Sequence, residues 1–261
     1  MNTLRNLEGI LFFQDLQIYY EIFGDGHPII LVHGWGSDLQ TNWVKTGLVK
    51  NLTSVRKVIA LDCRGHGQSD KPYNQKIYSY SSMAKDVLKL MDLKIVKTDL
   101  FGYSMGAFMA VHLLGYNQER FSSMILVGIG DETEESRDAG FIADAFRQED
   151  PTQIKHPLGR GYREYVDSNL NNDREALAVS ALQMWPEGYS IQIGGVGLRK
   201  VSIPILIING ENDYPYVLSD KKLTDTIPDA QLLRIPNRNH LDVISDEIFK
   251  AEVLAFLGKQ K

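Results

Sequence analysis

Apolar residues in this chain fall into short unbroken runs, and between the runs they recur at helical spacing. Ile29-Ile30-Leu31-Val32 and Val58-Ile59-Ala60-Leu61 are two such runs. Continuous apolar stretches of this length suit strands buried on both faces, as in a parallel sheet. The same texture predicts strands at 96–101, 124–129, 203–208 and 231–235. Near the start, 10–13 and 17–23 read as two strands joined by a short polar turn, an antiparallel hairpin that Gly24-Asp25-Gly26 closes. Met83, Val87, Leu88 and Met91 mark a helix over 81–91, a second follows over 107–115, and an amphipathic helix spans 244–257. Strands alternating with helices predict an α/β fold, a mostly parallel sheet flanked by helices and joined by right-handed crossovers.

The alternation breaks between 131 and about 200. This stretch opens with acids: Asp131, Glu132, Glu134, Glu135, Asp138, Asp144, Glu149 and Asp150. Tyr162, Tyr165, Trp185 and Tyr189 follow, in turns that read as helical. The expectation is a helical lid at 131–200, inserted between two strands of a core made from 1–130 and 201–261. The acids read as a solvated face. No repeat period is visible.

Composition narrows the function classes. A chain of 261 residues, 43% hydrophobic and 23% charged, can bury a sizeable core as one α/β domain with an insertion. The net charge of -5 argues against a nucleic-acid partner, which would need a basic face. Cys63 is the single cysteine, so no intrachain disulfide can form. The start has Arg5 and only the short apolar run 10–13, with no small-residue cleavage site, so no signal peptide is expected. No apolar run approaches a bilayer-spanning length. A cytoplasmic protein acting on a small molecule is expected, with no nucleic-acid or membrane partner. Nothing in the sequence bears on oligomeric state.

Chemistry concentrates at Gly102-Tyr103-Ser104-Met105-Gly106, between a predicted strand and a predicted helix. A serine flanked by glycines at two-residue spacing has the layout of a nucleophile elbow, a turn so tight that side chains at 102 and 106 would clash. A serine hydroxyl is a weak nucleophile at neutral pH and needs a base, which in turn needs an orienting carboxylate. His240, in the polar loop Pro236-Asn237-Arg238-Asn239-His240, is the candidate base. Asp213, closing Asn209-Gly210-Glu211-Asn212-Asp213, is the candidate acid. Both loops follow strands, and open sheets gather their sites at the carboxyl ends of strands. Asp131, after the sixth strand, is a rival acid, whereas Asp242 lies too close to His240 in sequence to face it. An oxyanion hole needs backbone N–H donors. Met105 follows the nucleophile, and Trp35, in His33-Gly34-Trp35-Gly36 after the third strand, is the second candidate. Trp43, Phe141, Phe146, Tyr162 and Trp185 are candidates for lining an acyl pocket, with core packing as the alternative for each. His33, His66, Asp62 and Arg64 read as loop braces, Ser69 as a turn or cap, and Cys63 as a small buried residue. His27, His112 and His156 lack metal-ligand spacing, and no metal is expected.

Taken together, His33-Gly34-Trp35-Gly36, Asp62-Cys63-Arg64-Gly65-His66-Gly67-Gln68-Ser69-Asp70, the elbow, Gly210-Glu211-Asn212-Asp213 and Asn239-His240 resemble the α/β-hydrolase fold superfamily over nearly the whole chain. That resemblance implies an eight-stranded, mostly parallel sheet with a lid and no metal or organic cofactor. A serine at the elbow separates the chain from the dehalogenase and epoxide-hydrolase branches, which need a carboxylate nucleophile. The expected activity is a serine hydrolase cleaving a small or medium uncharged carboxylic ester through an acyl-enzyme on Ser104. C–C bond hydrolysis, thioester hydrolysis and cofactor-free perhydrolysis could use the same residues. A non-catalytic ligand receptor of the same fold is the alternative outside enzymology.

Overall fold

The computed structural model describes residues 6–93, 95–131, 139–188 and 197–260. Arg5, Glu132, Glu134, Glu135, Asp138 and Tyr189 lie outside the described residues. The chain opens with the hairpin of β1 (Asn6–Phe13) and β2 (Leu16–Phe23), paired antiparallel through to Phe13 and Leu16. Its two-residue turn puts Gln14 and Asp15 at φ 54° and 61°, the left-handed pair that matches strand twist in a tight hairpin. There follow β3 (Pro28–Val32), α1 (Leu48–Leu52), β4 (Lys57–Leu61), α2 (Tyr80–Met91), β5 (Thr98–Tyr103), α3 (Met105–Asn117) and β6 (Phe121–Val127). Between β6 and the next strand come α4 (Gly140–Arg147), α5 (Pro157–Asp167) and α6 (Arg174–Gly188). The chain closes with β7 (Ile205–Gly210), α7 (Asp220–Thr226), β8 (Gln231–Ile235) and α8 (Glu247–Gly258).

The eight strands form one sheet in the order β1-β2-β4-β3-β5-β6-β7-β8. β2 pairs antiparallel with both of its neighbours, and every pairing from β4 to β8 is parallel. The chain steps outward one way from β3 to β4 and the other way from β3's neighbour β5. The carboxyl ends of β3 and β5 therefore flank a topological switch point.

Strand side chains alternate between faces, and the two cores follow that alternation. Ile30, Val32, Leu100 and Leu126 pack with α2, α3 and the helices between β6 and β7. Ile29, Leu31, Phe101 and Ile125 pack with α1 and α8. Buried ion pairs tie helices and loops to this frame: Arg64 holds Asp86 of α2 through Nε at 2.8 Å, and Arg56 holds Asp99 of β5 at 2.7 Å. Among the described residues, no helix is long and apolar enough to cross a membrane.

Several element ends differ from the sequence reading, among them β1, which starts at Asn6, and β6, which spans Phe121–Val127. β5 begins at Thr98, leaving Val96 exposed, and β7 begins only after Pro204, which has no N–H to give to a ladder. The last helix begins at Glu247, because Asp246 accepts hydrogen bonds from the Ile248 and Phe249 amides and so caps it there.

Candidate active site

Ser104 stands between β5 and α3 with φ 52° and ψ -114°, a left-handed conformation for a residue with a side chain. The neighbouring glycines make that turn possible. A Cβ on Gly102 would run into the Gly106 carbonyl, and one on Gly106 would run into the Val32 carbonyl of β3. Strand, turn and helix can close up only without those atoms. The Ser104 carbonyl accepts the third and fourth amides of α3, from Ala107 at 2.8 Å and Phe108 at 3.1 Å. The side chain is left at the mouth of the turn.

Asp213 follows β7, is fully buried, and is held by its own N–H on the Gly210 carbonyl at 3.1 Å. His240 follows β8. Its Nδ1 lies 2.9 Å and 3.1 Å from the two Asp213 oxygens, and its Nε2 lies 3.0 Å from Ser104 Oγ. A carboxylate can only accept, so Nδ1–H donates to Asp213 and Nε2 is free to accept the serine proton. Tyr103 and Tyr216 stack on the imidazole at 5.4 Å and 5.1 Å, and the Tyr103 hydroxyl donates to the His240 carbonyl. Asp131 is engaged elsewhere: its carboxylate meets Lys222 at 3.2 Å and its N–H donates to the Ser219 carbonyl at 3.3 Å. Asp242 accepts from the Asn239 amide at 2.7 Å and braces the loop.

Ser104 and His240 open on a cavity of about 460 Å³, and Trp35 and Met105 line it too. Among the described residues, neither the Trp35 nor the Met105 amide is taken by a backbone carbonyl. Among the described residues, no Asp, Glu, Lys or Arg lines this cavity. Tyr162 and Trp185 form part of its wall. The other three aromatic candidates lie off it. Trp43 is fully buried on the α1/α8 side of the sheet against Phe101, at 5.2 Å. Phe146 stacks behind Trp35 at 5.5 Å, and Phe141 stacks on His156 at 4.1 Å. Sequence reasoning missed Tyr80, Phe108, Met184, Tyr214, Tyr216 and Leu241 of the wall. Phe108 is four residues past Ser104 on one helical face, and Leu241 follows His240, so adjacency to the candidate residues was a usable signal.

Beneath the site, two buried histidines brace the loops after β3 and β4. His33 donates from Nδ1 to the Gly34 carbonyl at 2.8 Å and accepts the Cys63 amide at Nε2, 2.9 Å away. His66 donates from Nδ1 to the Arg64 carbonyl at 3.0 Å. Asp62 accepts the Leu39 and Gln68 amides at 2.8 Å and 2.7 Å. Ser69 links this loop to β2 by donating to the Asp62 carbonyl and accepting the Tyr19 amide. Burial pushes the Cys63 thiol well above its ordinary range, so it is not an activated nucleophile. Among the described residues, no three His, Cys, Asp or Glu side chains converge as metal ligands.

Burial lowers His33 to about 4 and His66 to about 3, from 6.5, and raises Asp62 to about 7, from 3.8. As pH falls below 6.5, the unfolded chain binds protons that the folded histidines refuse, so stability is lost down to about 4. Asp62 works the other way, because the folded form holds a proton that the unfolded chain releases above 3.8. Between pH 7 and pH 5 the two histidines outweigh Asp62, for a net loss on the order of 1 kcal/mol. Urea unfolding at pH 7 and pH 5 measures it. The midpoint should fall at pH 5, and a midpoint that rises contradicts the assignment.

A sequence model of the family described as alpha/beta hydrolase fold matches residues 27–154. A Synechocystis sp. protein whose provisional name is non-heme chloroperoxidase is 38% identical over 250 residues, covering 86% of this chain and 88% of its own. The acetyltransferase component of an acetoin cleaving system from Pseudomonas putida is 29% identical over 259 residues, 92% of this chain. This chain spans 66% of the length of that relative. In fold, the chain is similar to an esterase from Exiguobacterium antarcticum, with a TM-score of 0.77 at 21% identity over 97% of this chain and 100% of the other.

Proposed function

The chain belongs to the α/β-hydrolase fold family, and on that premise we propose that it is a serine hydrolase acting on small or medium uncharged carboxylic esters. The observation that carries this reading is the hydrogen-bonded run from Asp213 through His240 to Ser104, ending in a cavity with no Asp, Glu, Lys or Arg among the described residues of its wall. Ser104 Oγ attacks the ester carbonyl carbon as His240 Nε2 takes its proton. Asp213 keeps the imidazole tautomer and stabilises the imidazolium that forms. The Trp35 and Met105 amides receive the oxyanion. When the C–O bond breaks, the alcohol leaves with the proton from His240. Water, deprotonated by the same nitrogen, then releases the acid and restores Ser104. The segment 131–200 acts as a lid, and the aromatic side chains that α5 and α6 send into the cavity select the substrate.

A fluorophosphonate probe tests the nucleophile. The expected adduct sits on the peptide containing Ser104 and is suppressed by a short p-nitrophenyl ester. A protein that hydrolyses the ester but carries the probe elsewhere, or nowhere, overturns the reading.

The haloperoxidase name of the 38% relative favours a second reading. Hydrogen peroxide, instead of water, would accept the acyl group from Ser104 and leave as a peracid. Ester turnover with peroxide present distinguishes the two: peracid that oxidises bromide supports perhydrolysis, and its absence supports plain hydrolysis.

A further inference from the structure

The loop after β3 presents the Trp35 amide, yet much of what fixes that loop comes from the segment between β6 and β7. The buried Trp35 indole donates from Nε1 to Ser180 Oγ of α6 at 2.9 Å. Ser180 is itself fully buried and gives its proton to the Leu177 carbonyl at 2.9 Å, which leaves its lone pairs for the indole. One residue past Trp35, the Gly36 carbonyl accepts from Asn172 Nδ2 at 2.8 Å, and the same nitrogen donates to the Val166 carbonyl at 2.9 Å. At the end of the loop, Asp38 accepts from Asn169 Nδ2 at 2.9 Å and from Asn171 Nδ2 at 3.3 Å. Trp35, Gly36 and Asp38 are thus all tied to residues 169–180, more than 130 positions away in the chain.

We propose that Ser180 and Asn172 are positioning residues that aim the Trp35 N–H at the developing oxyanion. The proposal rests on the serine-hydrolase reading and extends it: the helical segment over the cavity sets the rate as well as choosing the substrate. Hydrogen bonds weaken steeply as they bend, so a small rotation of the peptide before Trp35 lowers its value as a donor. Ser180→Ala removes the acceptor of a buried indole N–H, which then gains by leaving its seat. Asn172→Ala releases the Gly36 carbonyl, two peptides along. Neither change removes the backbone donor, and neither residue itself lines the cavity.

The test uses the full chain with p-nitrophenyl acetate and an arylboronic acid, which forms a tetrahedral adduct on an active serine and so reads the oxyanion site without turnover. Ser180→Ala and Asn172→Ala should each lower kcat about tenfold, a part of the 10²–10³ that follows complete loss of a donor. KM should stay within about threefold, because ground-state binding does not use the displaced interaction, and boronate affinity should weaken alongside kcat. Ser180→Thr, which keeps the hydroxyl, should retain kcat within about twofold of wild type. Wild-type kcat and boronate affinity in both alanine variants, or losses confined to KM, overturn the positioning role. Because Asn172 belongs to the turn before α6, its variant remains informative if Ser180→Ala fails to fold. A wild-type chain that neither turns over ester nor takes the fluorophosphonate overturns the serine-hydrolase reading instead.

Discussion

Ser104→Ala is expected to lower kcat on p-nitrophenyl acetate by about 10⁶-fold, the scale seen when a serine hydrolase loses its nucleophile. The size follows from the chemistry proposed for the site. With Oγ gone, His240 Nε2 has no hydroxyl 3.0 Å away to deprotonate, and the residual rate depends on the amides and on binding alone. The fold should survive, since alanine can occupy the same strained φ of 52° and the glycine contacts of the elbow are untouched. The apolar cavity also remains, so an uncharged ester should still bind. Stopped-flow or steady-state release of p-nitrophenolate measures the loss, with thermal unfolding as the check on folding. Full activity in a folded Ser104→Ala protein would remove the acyl-enzyme from consideration and leave a binding or general-base role for the site.

The frame of this protein was legible because its rules are local. Ile29 to Val32 read as a strand buried on both faces, and these residues are indeed split between the two cores. The elbow was legible for the same reason, since two glycines at fixed spacing are required by atoms only a few residues away, apart from the Val32 carbonyl. The loops bearing Asp213 and His240 could be named from their place after strands, and the structure brings both to Ser104.

The cavity wall was less legible, because periodicity reports that a ring is buried and not which side of the sheet receives it. Trp43 illustrates this: as apolar as Trp35 and only eight residues on, it goes to the opposite core. Phe146 is displaced by one layer, since Trp35 itself occupies the place between it and the cavity. The helices between β6 and β7 posed a different obstacle. Their polar contacts with the loop after β3 join residues 35–38 to 169–180, and no local spacing encodes such pairs. Ser180 is therefore invisible as a functional candidate until the fold places it against the indole.

The second large effect separates the two candidate acids. Asp213→Asn should lower kcat by about 10⁴-fold, whereas Asp131→Asn should leave it within about threefold of wild type. Asp213 is fully buried and offers both oxygens to His240 Nδ1, so its charge is the counterpart of the imidazolium that forms when Ser104 is deprotonated. Asparagine fits the same space but changes the options. With its NH₂ toward Nδ1, the imidazole must carry its proton on Nε2, and it can no longer accept from Ser104. With its oxygen toward Nδ1, the orientation is kept but the charge that stabilises the imidazolium is lost. Asp131 has neither role, for its carboxylate is engaged with Lys222 at 3.2 Å. Removing that charge costs an exposed lysine one partner, an effect of about 1 kcal/mol or less on stability and none on the proton path. Parallel kinetics on the two variants read the difference directly. Equal losses in both, or a larger loss for Asp131→Asn, would move the acid to the loop after β6 and require His240 to swing away from Asp213 during turnover.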